Sequence, residues 1–216
     1  MCSTVNSIND IECMYFSTSS LTCIQHHSDL LSMFYRWTSL LRRLDGSVGF
    51  GRNWDDFRNG FGDANGEAWL GNEYMHQLTN ARSYKLRFDL EDWDGNTGYA
   101  EYASFVVTSE SDNYRLLLGD YSGTASADAS VDQVYGFLAN NNSQFTTYDR
   151  DNDSNDALNC ALDRAGHGGF WYKGCTWVGA TIAYCPSAYC TSYKMRWKAF
   201  RNNVDLKTLT MKIRPN

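Results

Sequence analysis

The densest run of groups able to do chemistry is Asp149-Arg150-Asp151-Asn152-Asp153, which sets hard oxygen ligands at alternate positions. When such a segment turns, its carboxylates and the carbonyls that follow can face one centre, an arrangement suited to Ca2+. It is not an EF-hand, because Ser154 stands where that loop needs glycine and Cys160 where it needs glutamate. A solvated acidic turn is the competing reading of the same spacing. Cys160 and Cys175 come next, bracketing Gly166-His167-Gly168-Gly169-Phe170-Trp171-Tyr172. A bridge closing that loop would remove about 3 kcal/mol of unfolded-state entropy and fix an aromatic, glycine-rich loop beside the acidic segment. Cys175 with His167 as a nucleophile pair is the sharper alternative, but no third group orients it and a bridged sulfur has no thiolate. G-x-S-x-G, Walker and G-x-G-x-x-G sequences are absent as well.

The chain's seven cysteines fall at its two ends: Cys2, Cys13 and Cys23, then Cys160, Cys175, Cys185 and Cys190. Neither C-x-x-C nor H-E-x-x-H spacing occurs, so local disulfides explain the pattern better than zinc thiolates. An odd number leaves at least one thiol free, paired between chains or stranded. The aromatics Trp171, Tyr172, Trp177, Tyr184, Tyr189 and Tyr193 crowd the same region. Most are expected in the core, with one or two facing a ligand; aromatic faces that stack on sugars or hold acetyl methyls make a carbohydrate site chemically reasonable.

The elements that must position these groups are short. With 216 residues, of which 43% are hydrophobic, the chain is long enough for one sizeable core. A net charge of -6 and a pI near 5.1 give no basic face to nucleic acid or anionic lipid. No apolar run approaches the roughly 18 residues of a spanning helix, and Met1 to Gln25 lacks the pattern of a secretion signal. On that ground the protein is either intracellular or secreted by a signal outside this sequence. Residues 1–36, rich in Ser and Thr, read as a divergent N-terminal segment, and 37–216 as the domain proper. Asn53 is placed as the N-cap of a short helix that Gly60 stops. Leu86, Phe88 and Leu90 alternate with Lys85, Arg87 and Asp89 as a strand with one wet face. Asp92-Trp93-Asp94-Gly95-Asn96 then turns the chain. Tyr99 to Thr108 and Tyr114 to Leu118 are expected to continue an antiparallel meander. From Ser122 to Tyr193 long loops are expected, and Leu209 to Ile213 should return to the sheet as a strand.

Taken together, Arg42-Arg43-Leu44-Asp45-Gly46-Ser47, Asn59-Gly60-Phe61-Gly62, Gly66-Glu67-Ala68-Trp69-Leu70-Gly71-Asn72, Asp89-Leu90-Glu91-Asp92-Trp93-Asp94-Gly95-Asn96, Tyr121-Ser122-Gly123-Thr124-Ala125 and Met211-Lys212-Ile213-Arg214-Pro215 resemble the fibrinogen C-terminal domain family. Tyr114-Arg115-Leu116, Tyr148 to Asp153 and Asn159-Cys160-Ala161 fall in the same order, from about Trp37 to Pro215. The resemblance implies an extracellular α+β fold: a central twisted antiparallel sheet, short helices, and a loop-rich C-terminal part that carries calcium and a ligand pocket. It implies Ca2+ bound by Asp151 and Asp153, with backbone oxygens near Asn155 and Ala157 and water. It also supports the Cys160–Cys175 pairing, while a Cys185–Cys190 pair rests on proximity alone. Lectin members of the family bind acetylated sugars, which gives the leading expectation: a secreted, calcium-dependent lectin-like binder of acetylated carbohydrate or glycoprotein in innate immunity. Its pocket walls are then Arg164, His167, Trp171 and Tyr189. Other members engage a protein receptor or matrix partner, which is the alternative. Valency in the family comes from N-terminal segments not found in this sequence. The chain departs from the family where only Trp37-Thr38 stands for its opening, and where Thr176 replaces the usual His after the second cysteine of the ligand loop.

Overall fold

A computed structural model describes residues 37–175, 177–186, 194–201 and 204–216. The central sheet has seven strands in the order β2-β3-β1-β11-β4-β5-β8, all pairs antiparallel. Its long members are β4 (Tyr84–Asp92) and β11 (Leu206–Pro215), flanked by β1 (Thr38–Arg43) and β5 (Thr97–Tyr102). The edges are β2 (Phe61–Gly62), β3 (Ala68–Trp69) and β8 (Tyr121–Gly123). The C-terminal strand thus lies in the middle of the sheet, with Met211 opposite Phe88 and Ile213 opposite Leu86.

Burial along β4 alternates without exception, from Tyr84 and Leu86 to Phe88, Leu90 and Asp92, which is the expected period of two. Phe88 meets Tyr102, Phe137 and Trp197 edge-on in the core. On the opposite face Arg87 binds Asp89 and Glu101, and Asp89 also pairs with Lys212. The turn after β4 is held by Asp92, whose Oδ1 accepts from the backbone N–H of Asp94 and Asn96, with Gly95 at φ 81°.

Helix α1 (Trp54–Asn59) starts and stops as its sequence implies. Asn53 Oδ1 accepts from Asp56 N at 2.9 Å, and Gly60 closes the helix at φ 88°. A Cβ on Gly60 would run into the Leu70 carbonyl. Gly60→Ala therefore meets both left-handed strain and backbone overlap, and is expected to lower stability by more than about 1 kcal/mol in urea unfolding; an unchanged midpoint would count against that packing.

Three features depart from the sequence reading. The stretch Tyr99 to Thr108 is not one strand. The chain turns at Ala103-Ser104, where Ala103 N donates to Asp120 O and Gly119 N to Ser104 O, so β6 (Phe105–Val107) leaves the main sheet and pairs with β7 (Leu116–Leu118) instead. The ten-residue helix α2 (Asn72–Ala81) goes beyond the elements read from the sequence: Gly71 supplies no side-chain cap, and Tyr74 on it faces solvent. It docks through Thr79, whose Oγ1 accepts from Val107 N at 3.0 Å. Within the expected loops lie α3 (Ala129–Tyr135), a 3-10 turn over Phe137–Asn140, α4 (Cys160–Arg164) and β9 (Val178–Gly179), which pairs with β10 (Arg196–Trp197) just beyond them. The core between sheet and loops is aromatic, with Trp69, Phe145 and Trp171 in mutual ring contact.

Candidate functional site

The acidic segment is anchored on both sides before it reaches its carboxylates. Asp149 Oδ1 accepts from Trp54 N at 3.0 Å, tying the segment to the start of α1. Arg150 lies over the Trp54 ring at 3.9 Å, and its Nη2 donates to Asn113 Oδ1. From there a chain of side-chain-to-backbone bonds shapes the turn. Asp151 Oδ1 accepts from Asp153 N, Asp153 Oδ1 from Asn155 N at 2.8 Å, and Asn155 Oδ1 from Ala157 N. Asp153 Oδ2 accepts from Cys160 N at 2.8 Å, so this carboxylate is bonded directly to the first residue of α4. Burial, reinforced by the neighbouring Asp151, pushes the Asp153 carboxyl up despite the two N–H donors. Two carboxylates, one of them partly desolvated, leave their remaining lone pairs for a cation.

Cys160 and Cys175 are disulfide-bonded, with Cα atoms 4.8 Å apart. Asn159 caps α4 by accepting from Leu162 N, and its Nδ2 donates to Thr147 O. The bridged loop leaves the helix through Gly166 and His167, both at positive φ, and then plunges inward. Thr146 and Phe170 exchange backbone bonds at 2.9 and 3.0 Å, and Tyr172 Oη donates to Gly168 O. Cys185 is also in a disulfide; Cys190, the partner expected from sequence, lies outside the described residues.

Three of the four expected pocket walls fall among the described residues, and they differ in exposure. Arg164 is exposed at the end of α4, and His167 is exposed against the edge of Tyr148, ring centroids 5.3 Å apart. Trp171 is corrected from wall to core: it is 0% exposed, and its indole N–H donates to Tyr114 O at 2.7 Å. Its immediate neighbour Tyr172 is buried as well, its ring against Phe170. Tyr189 lies outside the described residues.

The aromatic group that does face outward is one the sequence did not assemble. Trp177, 42% exposed, meets Tyr135 edge-on at 6.0 Å, and Lys198 Nζ lies 4.1 Å from the Trp177 ring centre. Lys198 N donates to Trp177 O, and Ala199 N to Tyr135 O, so the backbone holds three distant segments together. Beside them a cleft of about 360 Å³ is lined by Gln133, Val134, Asn140, Lys173 and Trp177. Lys173 and Lys198 have no carboxylate within ion-pair distance among the described residues. Spacing along the chain carries no signal for such a patch; the exposed tryptophan after Cys175 is its only local mark.

An antiparallel sheet with a central C-terminal strand, carrying a disulfide-closed loop and an acidic turn at one end, defines an α+β module of the fibrinogen-like globe class. The chain belongs to the family described as fibrinogen beta and gamma chains, C-terminal globular domain, matched over residues 10–216. It is 42% identical over 184 residues to angiopoietin-related protein 2 of Homo sapiens and 40% identical over 183 residues to angiopoietin-4 of Bos taurus, in each case 83% of this chain and 35% of the relative. The chain therefore spans about a third of the length of these curated relatives. Among solved structures it is similar to the fibrinogen-like globe domain of human ANGPTL2, with a TM-score of 0.74, 42% identity and coverage of 83% of this chain and 80% of that one. It is also similar to lamprey fibrin D-dimer complexed with the peptide ligand Gly-His-Arg-Pro-amide, with a TM-score of 0.71, 33% identity and coverage of 83% and 61%. Among the described residues no helix is long and apolar enough to cross a membrane.

Proposed function

We propose that this chain is a secreted protein-recognition module, engaging a receptor or matrix protein through the loop-rich end of the fold, and acting by binding rather than catalysis. The observation that carries the reading is the outward patch of Val134, Tyr135 and Trp177, flanked by Lys173 and Lys198. Exposed aromatics with a basic rim suit a protein surface that offers apolar side chains and carboxylates. The angiopoietin-type relatives and the peptide-bound lamprey structure support the same direction. The acetylated-sugar reading has less support, because Trp171, one of its expected walls, is in the core. A disulfide at the centre of the loop region suits an oxidising compartment.

The test is binding of the fluorescently labelled domain to intact cells. Binding is expected to fall at least tenfold in Trp177→Ala and after protease treatment of the cells, and to ignore free N-acetylglucosamine. Binding that survives the protease and is competed by the sugar would restore the lectin reading.

The same reading gives the acidic turn a Ca2+. The donor set fits: Asp151 and Asp153 carboxylates with backbone oxygens near Asn155 and Ala157 and water are hard ligands, and a dication would offset the mutual repulsion of the two carboxylates. Bound there, the ion supplies positive charge that fixes the turn leading into α4. With so few carboxylates the expected affinity is about 10⁻⁴ to 10⁻³ M. Millimolar calcium should raise the melting temperature of the wild type and leave Asp153→Ala unmoved; an equal rise in both would remove Asp153 from the site.

A further inference from the structure

The chain contains two Asn-x-Ser sequences, Asn141-Asn142-Ser143 and Asn152-Asp153-Ser154. Each is a potential acceptor for N-linked glycosylation in a secreted protein. The fold treats them differently. Asn152 is a brace: its Nδ2 donates at 2.8 Å to the carbonyl of Phe145, a residue with no solvent exposure, and its backbone N–H donates to Thr146 Oγ1. A sugar on that nitrogen would crowd the Phe145 carbonyl and displace the brace, leaving a buried acceptor short of its partner. It would also stand between Asp151 and Asp153.

Asn141 has the opposite arrangement. It follows the 3-10 turn over Phe137–Asn140 on a tight surface bend, where Asn141 N donates to Leu138 O and the exposed Asn142 takes a positive φ of 68°. Its Oδ1 accepts from Leu118 N at 2.9 Å, while Nδ2 makes no hydrogen bond among the described residues. The side chain is thus oriented by its oxygen and offers its nitrogen, the atom that carries the sugar. It also lines an open cleft of about 660 Å³, together with Asp120, Tyr121, Ser130, Gln133 and Lys173.

We propose that Asn141 is an N-glycosylation site, that Asn152 is not, and that the first sugars of the Asn141 glycan occupy this cleft. In the transfer, Nδ2 forms a bond to the anomeric carbon of a lipid-diphosphate-linked oligosaccharide. The carbon–oxygen bond to the diphosphate breaks, the lipid diphosphate leaves, and one amide proton goes to solvent. No oxidant or reductant is needed, and Oδ1 keeps its bond to Leu118. This cleft is then filled by the chain's own glycan, and the partner surface is left to the Trp177 side of Lys173. The proposal rests on the secreted reading above.

Trypsin separates the two sites, because Leu116–Arg150 and Asp151–Arg164 contain no internal Lys or Arg. The experiment expresses the full chain behind a secretion signal in cultured animal cells, collects it from the medium, and maps peptides before and after peptide-N-glycosidase treatment. Nearly all of the Leu116–Arg150 peptide should carry glycan and appear with Asp at position 141 after the enzyme, while Asp151–Arg164 stays unmodified. The gel shift should vanish in Asn141→Gln, persist in Asn152→Gln, vanish in Ser143→Ala and persist in Ser143→Thr. The Ser143 pair tests the site with Asn141 left in place. Bridged protein in the medium with an unmodified Asn141, or with glycan on Asn152, overturns the assignment alone. Protein that stays in the cell with Cys160 and Cys175 reduced overturns secretion, and the site with it.

Discussion

Glu67→Ala should unfold at a much lower urea concentration than the wild type, with a loss of about 3–5 kcal/mol, the range found when one partner of a buried charged pair is removed. Glu67 is 0% exposed, and one carboxylate organises a whole connection. Its Oε1 accepts from the backbone N–H of Leu44, Asp45 and Gly46 at 2.7 to 3.2 Å, and its Oε2 from Val48 N at 3.1 Å. Beside it lies Arg43, 1% exposed, with Nε 3.6 Å from Oε1. Arg43 Nη1 donates to the carbonyls of Ala180 and Ile182 at 2.9 Å, and its guanidinium stacks on Phe50 at 4.1 Å. The pair therefore ties β1 to the loop that leads away from the disulfide. Burial pulls the Arg43 guanidinium down to about 10, which leaves it cationic at neutral pH and in need of its counter-charge.

The alanine variant leaves that cation buried and four N–H groups without an acceptor. Glu67→Gln keeps one carbonyl oxygen but loses the charge and turns an NH2 toward N–H donors, so it should fall between. The pH dependence has a definite sign. Burial opposes ionisation, yet the N–H groups of Leu44, Val48 and Gly46 and the charge of Arg43 hold the Glu67 carboxyl below its usual value. The unfolded chain thus binds this proton more readily than the folded one. The contribution of Glu67 is fully present above the unfolded value of about 4.3 and is lost as pH falls through the lower folded value. The acid limb of the stability curve should be shallower in Glu67→Gln. If the alanine variant keeps the wild-type midpoint, the carboxylate is not what holds this loop.

What could be read from the sequence was local, and what could not was assembled from afar. Strand β4 announces itself because each residue's environment flips with the pleat, and Asn53 and Gly60 mark α1 because a cap and a left-handed stop act within one turn. The break at Ala103-Ser104 has no such mark, since it is made by bonds to Gly119 and Asp120 on the far side of a hairpin. The Arg43–Glu67 pair likewise joins two recognisable motifs without either stating that it meets the other. In the candidate site the acidic turn was legible because its donors follow one another at alternate positions. The pocket walls were not: a tryptophan two places from a glycine pair reads the same whether it lines a cleft or, like Trp171, fills the core. Trp177, Tyr135 and Lys198 come together only through the β9–β10 pairing and the backbone bonds around it.

The second large effect belongs to the bridge. Cys160→Ser with Cys175→Ser is expected to cost about 3 kcal/mol, the unfolded-state entropy returned by opening a loop of this size, the two cysteines being 15 residues apart. The consequence should reach beyond stability. Cys160 is 0% exposed and its N–H is one of the two backbone donors on Asp153, while Asn155 Nδ2 approaches Cys175 Sγ at 3.7 Å. The bridged pair thus meets the acidic turn through the Cys160 N–H and the Cys175 sulfur. Without it the turn samples more arrangements, so on the proposed Ca2+ site the competent fraction falls and the apparent Kd rises in proportion. Urea unfolding of wild type and double variant, each with millimolar calcium and with chelator, separates the two effects. The wild type should gain stability from calcium, and the variant should lose both the 3 kcal/mol offset and most of that gain. A variant that loses the offset but keeps the full calcium increment would show that the turn is held by Asp149, Arg150 and Asn159 alone, with the bridge serving only to close its own loop.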